Sequence, residues 1–398
     1  MRIVFLLTQS LESPSGLGRF GPLAKALAMR GIEVEIVALH HDWAQLPSHK
    51  RVQQVDGVTI RYVSQMHVLK RGNEKLYFSP WRLLWVTWLA TLRLTRQAIR
   101  QPADLIMVAK AQPMNGVAGW LATRVRRLPL WVDVDDHEAA SNRFGGRWQQ
   151  WIVSQAEQWL PRQARWVTSN TYASIERLVA DGVARSRLTY LPNGFDGQRL
   201  SLAVQMPLRE SLKLRDAPVV LYLGSLSLPS HPVHLLIEAW STVQNIHPTA
   251  RLLIVGGGED GERLREQAKR LNIEDVVCFT GRVPPNTVAA YYRLATLSVD
   301  PVYDDESARG RSPLKLFESL ACGTPVITSD VGERAAILGE AGALVAAGDS
   351  AALAKAINEL LSAPERLATM STAAAQPVAM YEWNKLSTRV IEMLDEPM

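Results

Sequence analysis

The chain has 398 residues, of which 47% are hydrophobic and 21% charged. This composition is typical of a soluble globular protein, and the length allows two domains of ordinary size. The two cysteines, Cys278 and Cys322, are far apart in apolar surroundings, which excludes a disulfide framework and a cysteine metal site and fits a reducing cytoplasm. The first apolar run, Ile3–Leu7, is too short for a signal peptide and predicts a strand.

The net charge of +5 hides an asymmetry between the two halves. Residues 1–195 hold 25 Lys and Arg against 14 Asp and Glu, whereas residues 196–398 hold 19 against 25. Ten of the twelve Trp also lie in the first half. The first half is therefore expected to face something anionic, such as a membrane surface or a lipid diphosphate. Nucleic acid is the least favoured partner, because no nucleic-acid motif is present.

Short apolar runs alternate with amphipathic stretches, which predicts an α/β fold with parallel sheets. The predicted strands are 3–7, 35–39, 59–63, 105–108, 130–134, 166–169, 219–223, 251–255, 276–280 and 297–299. The predicted helices are 18–30, 80–100, 116–126, 147–160, 172–181, 233–246, 260–271, 286–295 and 381–394. Because the pattern restarts after residues 191–218, we expect two doubly wound domains, with ligands at the carboxyl ends of their strands.

The loop Gly16–Gly21 satisfies G-x-G-x-x-G, and Asp42 follows about twenty residues later, as in a dinucleotide-binding fingerprint. Thr8–Ser15 separates the predicted strand from the glycines, however. A tight turn at the end of the strand cannot be made by glycines so far along the chain. The spacing therefore argues against an NAD site.

The stretch Leu130–Glu138 ends a strand with a dense polar cluster that includes Asp135, Asp136 and His137. These side chains are expected to point into a ligand cleft. Three interpretations remain open: contact with a ligand, which is favoured, capping of the strand end, and metal binding.

The segment Phe78–Arg100 contains an uncharged run, Leu83–Leu92, flanked by arginines. The run is too short to span a bilayer. Its position favours a core helix leading to the strand at Leu105. Because this half of the chain is basic, a helix that lies at a membrane interface is the alternative interpretation.

Residues 312–330 carry the most informative pattern in the chain. Ser312 is a good N-cap, and Pro313 suits the first position of a helix that leads into a strand. A helix N-terminus can hold a phosphate through its free N–H groups. Lys315 and Glu318 share one face of this helix, so one could serve a phosphate and the other a sugar hydroxyl.

Five motifs occur in order along the chain. They are Leu191–Asp196 (L-P-N-G-F-D), Leu221–Ser225 (L-Y-L-G-S), Leu253–Gly258 (L-I-V-G-G-G), Phe279–Val283 (F-T-G-R-V) and Pro313–Ile327 (P-L-K-L-F-E-S-L-A-C-G-T-P-V-I). Together they resemble the GT4 family of retaining glycosyltransferases, and the resemblance covers nearly the whole chain.

The resemblance implies the GT-B fold, with two facing Rossmann-like, doubly wound domains. The acceptor-side domain would be 1–195, the nucleotide-sugar donor domain 196–378, and the last helix, within 379–398, would cross back to the first domain. The implied reaction moves a sugar from a nucleotide-diphosphate sugar to a saccharide or lipid-linked acceptor hydroxyl, with retention and without a metal or cofactor. Synthesis of cell-surface polysaccharide or glycolipid would suit a cytoplasmic protein at the inner face of the membrane.

The resemblance also implies two sets of site residues. The expected catalytic residues are Arg311, Lys315, Asp136 and His137. The expected donor-binding residues are Gly16, Gly18, Gly224, Ser225, Gly256, Arg282, Val283, Ser312, Pro313, Leu314 and Glu318. Glu318 would hold the ribose, and no metal ligand is expected.

Three positions depart from the family pattern. Ser225 and His231 stand where the family has Arg and Lys, and Gly310 replaces the first Glu of its E-x7-E motif. The nearby Arg309, Arg311 and Lys315 are expected to compensate, with Arg311 and Lys315 clamping the diphosphate as it leaves. The departures keep two alternatives open, a non-catalytic binding subunit and a sugar-nucleotide epimerase with the same architecture.

Overall fold

The structure is a computed structural model that describes residues 1–71, 74–135, 137–141, 144–202 and 206–396. The chain forms two compact units, Met1–Gly194 with Trp383–Met398, and Phe195–Glu382. Asp136, one of the expected catalytic residues, lies outside the described residues.

The first unit is built on an eight-stranded sheet with the order β10-β9-β8-β7-β1-β2-β4-β3. Its strands, with the separate hairpin β5-β6, are β1 Arg2–Leu7, β2 Glu33–His40, β3 Val52–Val55, β4 Val58–Gln65, β5 Val68–Arg71, β6 Glu74–Tyr77, β7 Leu105–Ala109, β8 Leu130–Val134, β9 Trp166–Ser169 and β10 Leu188–Tyr190. All neighbours in the sheet are parallel except β3 and β4. The longer helices are Gly21–Ala28, Pro80–Arg100, Pro113–Arg126, Arg147–Gln163, Tyr172–Ala180 and Trp383–Asp395.

The alternation along β1 shows that this sheet is buried on both faces. Ile3, Phe5 and Leu7 enter one hydrophobic core, and Val4 and Leu6 enter the other. A parallel sheet made of such continuous apolar strands is stable when helices cover both sides.

The second unit has a six-stranded parallel sheet with the order β13-β12-β11-β14-β15-β16. Its strands are β11 Val219–Leu223, β12 Arg251–Val255, β13 Val277–Gly281, β14 Leu297–Asp300, β15 Val326–Ser329 and β16 Gly342–Val345. The longer helices are Val233–Ile246, Gly261–Arg270, Val288–Leu294, Leu314–Ala321, Ser350–Leu361 and Pro364–Ala373.

Each sheet reverses its winding once, between β1 and β7 in the first unit and between β11 and β14 in the second. In doubly wound sheets the crevice at such a reversal, at the carboxyl ends of the strands, is where ligands bind. The topology therefore marks one candidate site in each unit.

The expected α/β fold class is confirmed, and each predicted strand occurs with its ends displaced by at most two residues. The helix predicted from Gly18 begins at Gly21, because Gly16–Phe20 forms a wider π-helical turn. The helix predicted from Pro313 begins at Leu314, because Pro313 has an extended ψ of 103° and itself takes the capping position.

The prediction that Pro80–Arg100 is a core helix is wrong for most of its length. Its buried residues are Ala90, Leu94 and Ala98, which form one narrow stripe. No described helix combines the length and apolarity that crossing a membrane requires.

The C-terminal helix is part of the core of the first unit. Trp383 is 2% exposed and joins the core that contains Phe5 and Leu23. Its indole N–H also donates to the Gly18 carbonyl at 3.1 Å. Trp383, at the start of this helix, therefore stabilises the glycine-rich loop.

We expect Trp383→Ala to lower the free energy of unfolding of the first unit by about 3–5 kcal/mol, because a large buried side chain leaves a cavity. Urea unfolding followed by circular dichroism measures this loss. Trp151→Ala is the control, since Trp151 is 63% exposed and its loss should change stability by about 0.5 kcal/mol or less. Equal effects of the two substitutions would contradict the burial.

Candidate functional site

Charged side chains gather at the carboxyl ends of β11 and β14, where the second sheet reverses. Lys315 Nζ lies 2.9 Å from Asp300 Oδ1, and Arg334 Nε lies 3.4 Å from Asp300 Oδ2. Arg311 and His231 are close enough to interact electrostatically with these groups. We call these five residues the cationic cluster.

The cationic cluster holds three cations, Lys315, Arg311 and Arg334, around one buried carboxylate. Burial raises the pKa of Asp300, but Lys315 and Arg334 outweigh burial and hold that pKa at about 2. Burial, followed by the neighbouring Lys315 and Arg311, lowers the pKa of His231 well below its usual value, so this ring is neutral at pH 7. The excess positive charge favours an anion such as a phosphate.

Gly224 allows Lys315 to reach the end of β11. A Cβ atom on Gly224 would lie 3.0 Å from Lys315 Nζ and from the Tyr222 hydroxyl. That hydroxyl accepts from Lys315 Nζ at 3.3 Å and donates to the Ser225 carbonyl at 2.8 Å. At Gly256, where φ is 142°, a Cβ would lie 1.8 Å from the Gly224 carbonyl oxygen. Glycine is required at Gly256, and a side chain at Gly224 would push the Lys315 ammonium and the Tyr222 hydroxyl from these positions.

Arg311 and Arg309 have different surroundings although they are two residues apart. The Arg311 guanidinium donates to the Ser230 carbonyl at 2.9 Å and to Ser307 Oγ at 3.1 Å, which anchors it to the loop after β11. Arg309 is exposed and pairs with Asp304 at 2.7 Å. Arg311 is therefore the one of the two that joins the cationic cluster.

Glu318 forms an ion pair with Arg199, which no sequence motif singled out. Arg199 follows the L-P-N-G-F-D motif, where Asp196 accepts from the Arg199 N–H at 3.0 Å and caps a short helix. Arg199 also donates to the Pro285 carbonyl at 3.3 Å. Glu318 is thus held in a defined position one helical turn after Lys315.

The other expected donor-binding residues of the second unit differ in exposure. Ser225 and Arg282 are exposed, Val283 and Leu314 are half-buried, and Ser312 and Pro313 are buried. Gly310, which stands where the family has a glutamate, is buried and offers no side chain. Donor binding by these residues stays a prediction.

A second polar network lies at the carboxyl ends of β7 and β8 in the first unit. Lys110 Nζ lies 3.2 Å from Asp135 Oδ1 and 2.7 Å from Glu138 Oε1. The Glu157 carboxylate accepts the Glu138 N–H at 2.7 Å and lies 3.8 Å from His137 Nε2. We call these five residues the Lys110 network. Asp135 and His137 therefore have protein partners, and the catalytic role expected for His137 stays a prediction.

The glycine-rich loop of the first unit is fixed by Arg19, which lies inside the G-x-G-x-x-G motif. Its guanidinium donates to the two carboxylate oxygens of Asp133 at 2.8 and 2.7 Å and to Asn193 Oδ1 at 2.9 Å. Gly16 and Gly18, which precede Arg19 in the loop, are buried. Because an unpaired buried charge is costly, this ion pair holds the loop in one conformation.

Glu12, His40 and His41 form a group within the described parts of the chain whose possible metal-binding atoms lie within 4.8 Å of one another. His40 Nδ1 accepts the Asp42 N–H at 3.0 Å, so Nε2 carries the proton in the neutral ring. Metal binding through Nε2 would break that hydrogen bond. We therefore assign no metal to this group.

In the arrangement of the second unit, the motifs missed three residues, namely Asp300, Arg334 and Arg199. Asp300 could have been found, because a charged residue that ends an apolar strand is the signal that singled out the end of β8. Arg334 and Arg199 offered no local signal, since their partners lie 34 and 119 residues away in the sequence.

The Glu157 carboxyl group is expected to make the stability of the first unit depend on pH. Burial raises its pKa from 4.5 to about 7. The folded state then binds the proton more tightly than the unfolded state, so stability falls as the pH rises from about 4.5 to about 7. We expect Glu157→Gln to remove about 3 kcal/mol of this pH dependence, measured by urea unfolding at pH 5 and pH 8.

Glu176→Gln is the matched control for this experiment, because the Glu176 side chain is 61% exposed. It should leave the pH dependence of the wild-type protein unchanged. An unaltered pH dependence in Glu157→Gln would show that Glu157 is not its source.

Comparison with protein families gives two adjacent matches. The model described as "Glycosyl transferase 4-like domain" matches residues 17–194. The model described as "Glycosyl transferases group 1" matches residues 217–363. The first match lies in the first unit and the second match lies in the second unit.

Individual proteins resemble the chain over most of its length. D-inositol 3-phosphate glycosyltransferase 2 of Catenulispora acidiphila is 28% identical over 387 residues, covering 91% of this chain and 85% of the relative. Phosphatidyl-myo-inositol mannosyltransferase of Mycobacterium leprae is 33% identical over 207 residues, covering 52% of each chain. The solved structure of sucrose-phosphate synthase from Thermosynechococcus elongatus has a TM-score of 0.76 at 20% identity, covering 99% of this chain and 98% of that one.

These matches confirm the family resemblance carried by the five motifs. The solved structure supports the assignment of the fold, and the two family models support the assignment of the family. The chain therefore belongs to the group 1 glycosyltransferases, a GT4-like family with the GT-B fold.

Proposed function

We propose that this glycosyltransferase moves a sugar from a nucleoside-diphosphate sugar to an acceptor hydroxyl, and that the cationic cluster holds the diphosphate. The observation that carries the proposal is the excess of positive charge around Asp300 at the reversal of the second sheet. One carboxylate cannot balance three cations, and a diphosphate supplies the missing negative charge.

In the proposed reaction the bond between the anomeric carbon and the β-phosphate oxygen breaks, and the diphosphate gains negative charge as it leaves. The acceptor oxygen forms the new bond to the anomeric carbon, and its hydroxyl proton passes to the departing phosphate oxygen. Lys315 and Arg311 donate hydrogen bonds to the diphosphate, and the N–H groups at the start of the helix Leu314–Ala321 add their partial positive charge. Asp300 and Tyr222 hold the Lys315 ammonium in place before the donor arrives. Such preorganised charge lowers the barrier without further rearrangement.

The remaining assignments follow the resemblance. Glu318 holds the ribose hydroxyls, and Arg199 fixes the orientation of its carboxylate. The loops at Gly224–Ser225, Gly256 and Arg282–Val283 contact the nucleotide. In the first unit, Gly16 and Gly18 contact the donor, and Asp136 and His137 serve the acceptor and the transferred sugar.

We propose that transfer retains the anomeric configuration and needs no metal or cofactor. Lys315, Arg311 and Arg334 already supply the positive charge that a divalent cation would bring to a diphosphate. Unchanged activity in excess EDTA supports this, and activity that is lost in EDTA and restored by Mg²⁺ or Mn²⁺ contradicts it.

The acceptor is proposed to be the hydroxyl of a saccharide or of a lipid-linked molecule. The names of two relatives contain D-inositol 3-phosphate and phosphatidyl-myo-inositol, which supports a phosphorylated or lipid-borne polyol. Such an acceptor suits glycolipid or cell-surface polysaccharide synthesis at the inner face of a membrane.

Lys315→Met is expected to slow transfer by about 100-fold, and Arg311→Ala by at least about tenfold, because each removes charge aimed at the leaving diphosphate. Initial rates with the preferred donor measure both effects. Arg309→Ala is the matched control, since Arg309 is exposed and pairs with Asp304, and it should leave the rate unchanged. Wild-type rates in Arg311→Ala would remove Arg311 from the phosphate clamp.

Glu318→Ala is expected to separate ribose binding from phosphate binding. The ligand is whichever of UDP, GDP and ADP binds the wild type best. Its affinity should fall by at least about tenfold in this variant, because hydrogen bonds to a carboxylate are strong. Inorganic pyrophosphate, which has no ribose, should bind at least as well as to the wild type. Calorimetry with both ligands measures the difference.

Glu262→Ala removes the same charge from an exposed site of the second unit, where the Glu262 side chain is 77% exposed. Both ligands should bind this control as they bind the wild type. A Glu318→Ala variant that binds the nucleoside diphosphate normally would end the ribose assignment.

A further inference from the structure

The helix Pro80–Arg100 presents an apolar stripe to solvent. Trp81, Trp85 and Trp88 are 84%, 60% and 56% exposed, and Leu84 and Leu92 are 47% and 50% exposed. At 3.6 residues per turn these five side chains fall within about 100° of the helix circumference. We call them the aromatic face.

The aromatic face lies opposite the face that packs on the protein. The buried residues Ala90, Leu94 and Ala98 join the core of the first unit and project from the other side of the helix. The aromatic face therefore has no role in the fold of its own helix. Exposed apolar stripes of this kind mark binding surfaces.

The charges that the helix itself carries beside the aromatic face are all positive. Arg82, Arg96 and Arg100 are exposed on one flank of the stripe, and none of them forms an ion pair with a carboxylate of the described residues. The helix itself contains neither Asp nor Glu. A surface with indole rings and arginines but no acid matches an anionic lipid bilayer, where Trp occupies the headgroup region and Arg meets lipid phosphates.

The neighbouring helix Pro113–Arg126 also exposes apolar side chains and an arginine but no acidic residue. It packs against Pro80–Arg100 and exposes Val117, Leu121 and Val125 at a spacing of four residues. It also lacks Asp and Glu, and Arg124 is exposed on it.

We propose that the aromatic face is the membrane-docking surface of this protein, and that its partner is an anionic lipid bilayer. The helix lies in the plane of the interface, with the indole rings of Trp81, Trp85 and Trp88 among the headgroups and the three arginines against lipid phosphates. The proposal deepens the proposed function, since a lipid-linked acceptor is presented at such a surface. It is nevertheless tested without any sugar transfer.

The test is flotation of the full-length protein with vesicles of phosphatidylcholine alone and with one-quarter phosphatidylglycerol. The wild type is expected to bind the anionic vesicles, and less so as salt is raised. The triple variant W81S/W85S/W88S and the triple variant R82Q/R96Q/R100Q should each bind at least about tenfold more weakly. Unchanged thermal unfolding shows that the variants are folded, as expected for exposed positions.

Matched controls come from the second unit. The triple variant L202S/I246S/M380S removes exposed apolar side chains, and R263Q/K355Q/R366Q removes three exposed charges. Both should bind vesicles as the wild type does. Transfer to a water-soluble acceptor should be normal in every variant, so loss of docking and loss of activity are told apart.

Results of two kinds would overturn the proposal, in vesicle binding and in oligomeric state. One is a wild-type protein that does not bind anionic vesicles at low salt, or a Trp variant that binds them as well as the wild type. The other is a dimer in gel filtration without lipid that W81S/W85S/W88S converts to a monomer, because the aromatic face would then serve a second copy of the chain.

Discussion

The buried carboxylate of Asp300 is the interaction on which the proposed donor site depends. Without it, Lys315 and Arg334 would repel each other in a region from which water is largely excluded, and an uncompensated buried charge costs about 3–5 kcal/mol. With it, both cations stay ionised and in place, and Lys315 points at the end of β11. Asp300 thus permits the concentration of positive charge that a diphosphate would complete.

In the first unit, too, a buried carboxylate holds a basic side chain in position. Asp133, the penultimate residue of the buried strand β8, accepts hydrogen bonds from two nitrogens of the Arg19 guanidinium, and Arg19 also donates to Asn193 in the loop after β10. This pair and the Trp383 indole fix the glycine-rich loop from two sides. In each unit, one buried carboxylate at the sheet determines where a basic side chain and its loop can lie.

Much of the fold could be predicted from the sequence because most strands are short, largely apolar runs whose pattern does not depend on distant residues. The Gly16–Phe20 turn and the start of the helix at Leu314 could not, because they depend on local φ and ψ values that a cap or glycine motif does not determine. The solvent-facing side of Pro80–Arg100 was expected only as the alternative to a core helix, for another reason. An apolar stripe indicates a face that avoids water, but it does not say whether protein or lipid covers that face.

The residues of the candidate site also fall into those that the sequence could predict and those that it could not. Lys315 and Glu318 lie in a motif, and Arg311 lies two residues before it, so all three could be proposed from the sequence. Their partners Asp300, Arg199 and Arg334 come from separate elements, and only the folded chain brings them together. A motif predicts which groups meet a ligand, whereas the long-range partners that hold those groups become visible with the tertiary structure.

The central claim is that the cationic cluster binds the donor diphosphate. Its most direct test is a crystal structure of the protein with UDP, GDP or ADP bound. The account predicts phosphate oxygens within hydrogen-bonding distance of Lys315 Nζ and the Arg311 guanidinium, beside Gly224, with the ribose at Glu318. A nucleotide bound elsewhere, with the Asp300–Lys315 pair untouched by phosphate, would contradict it.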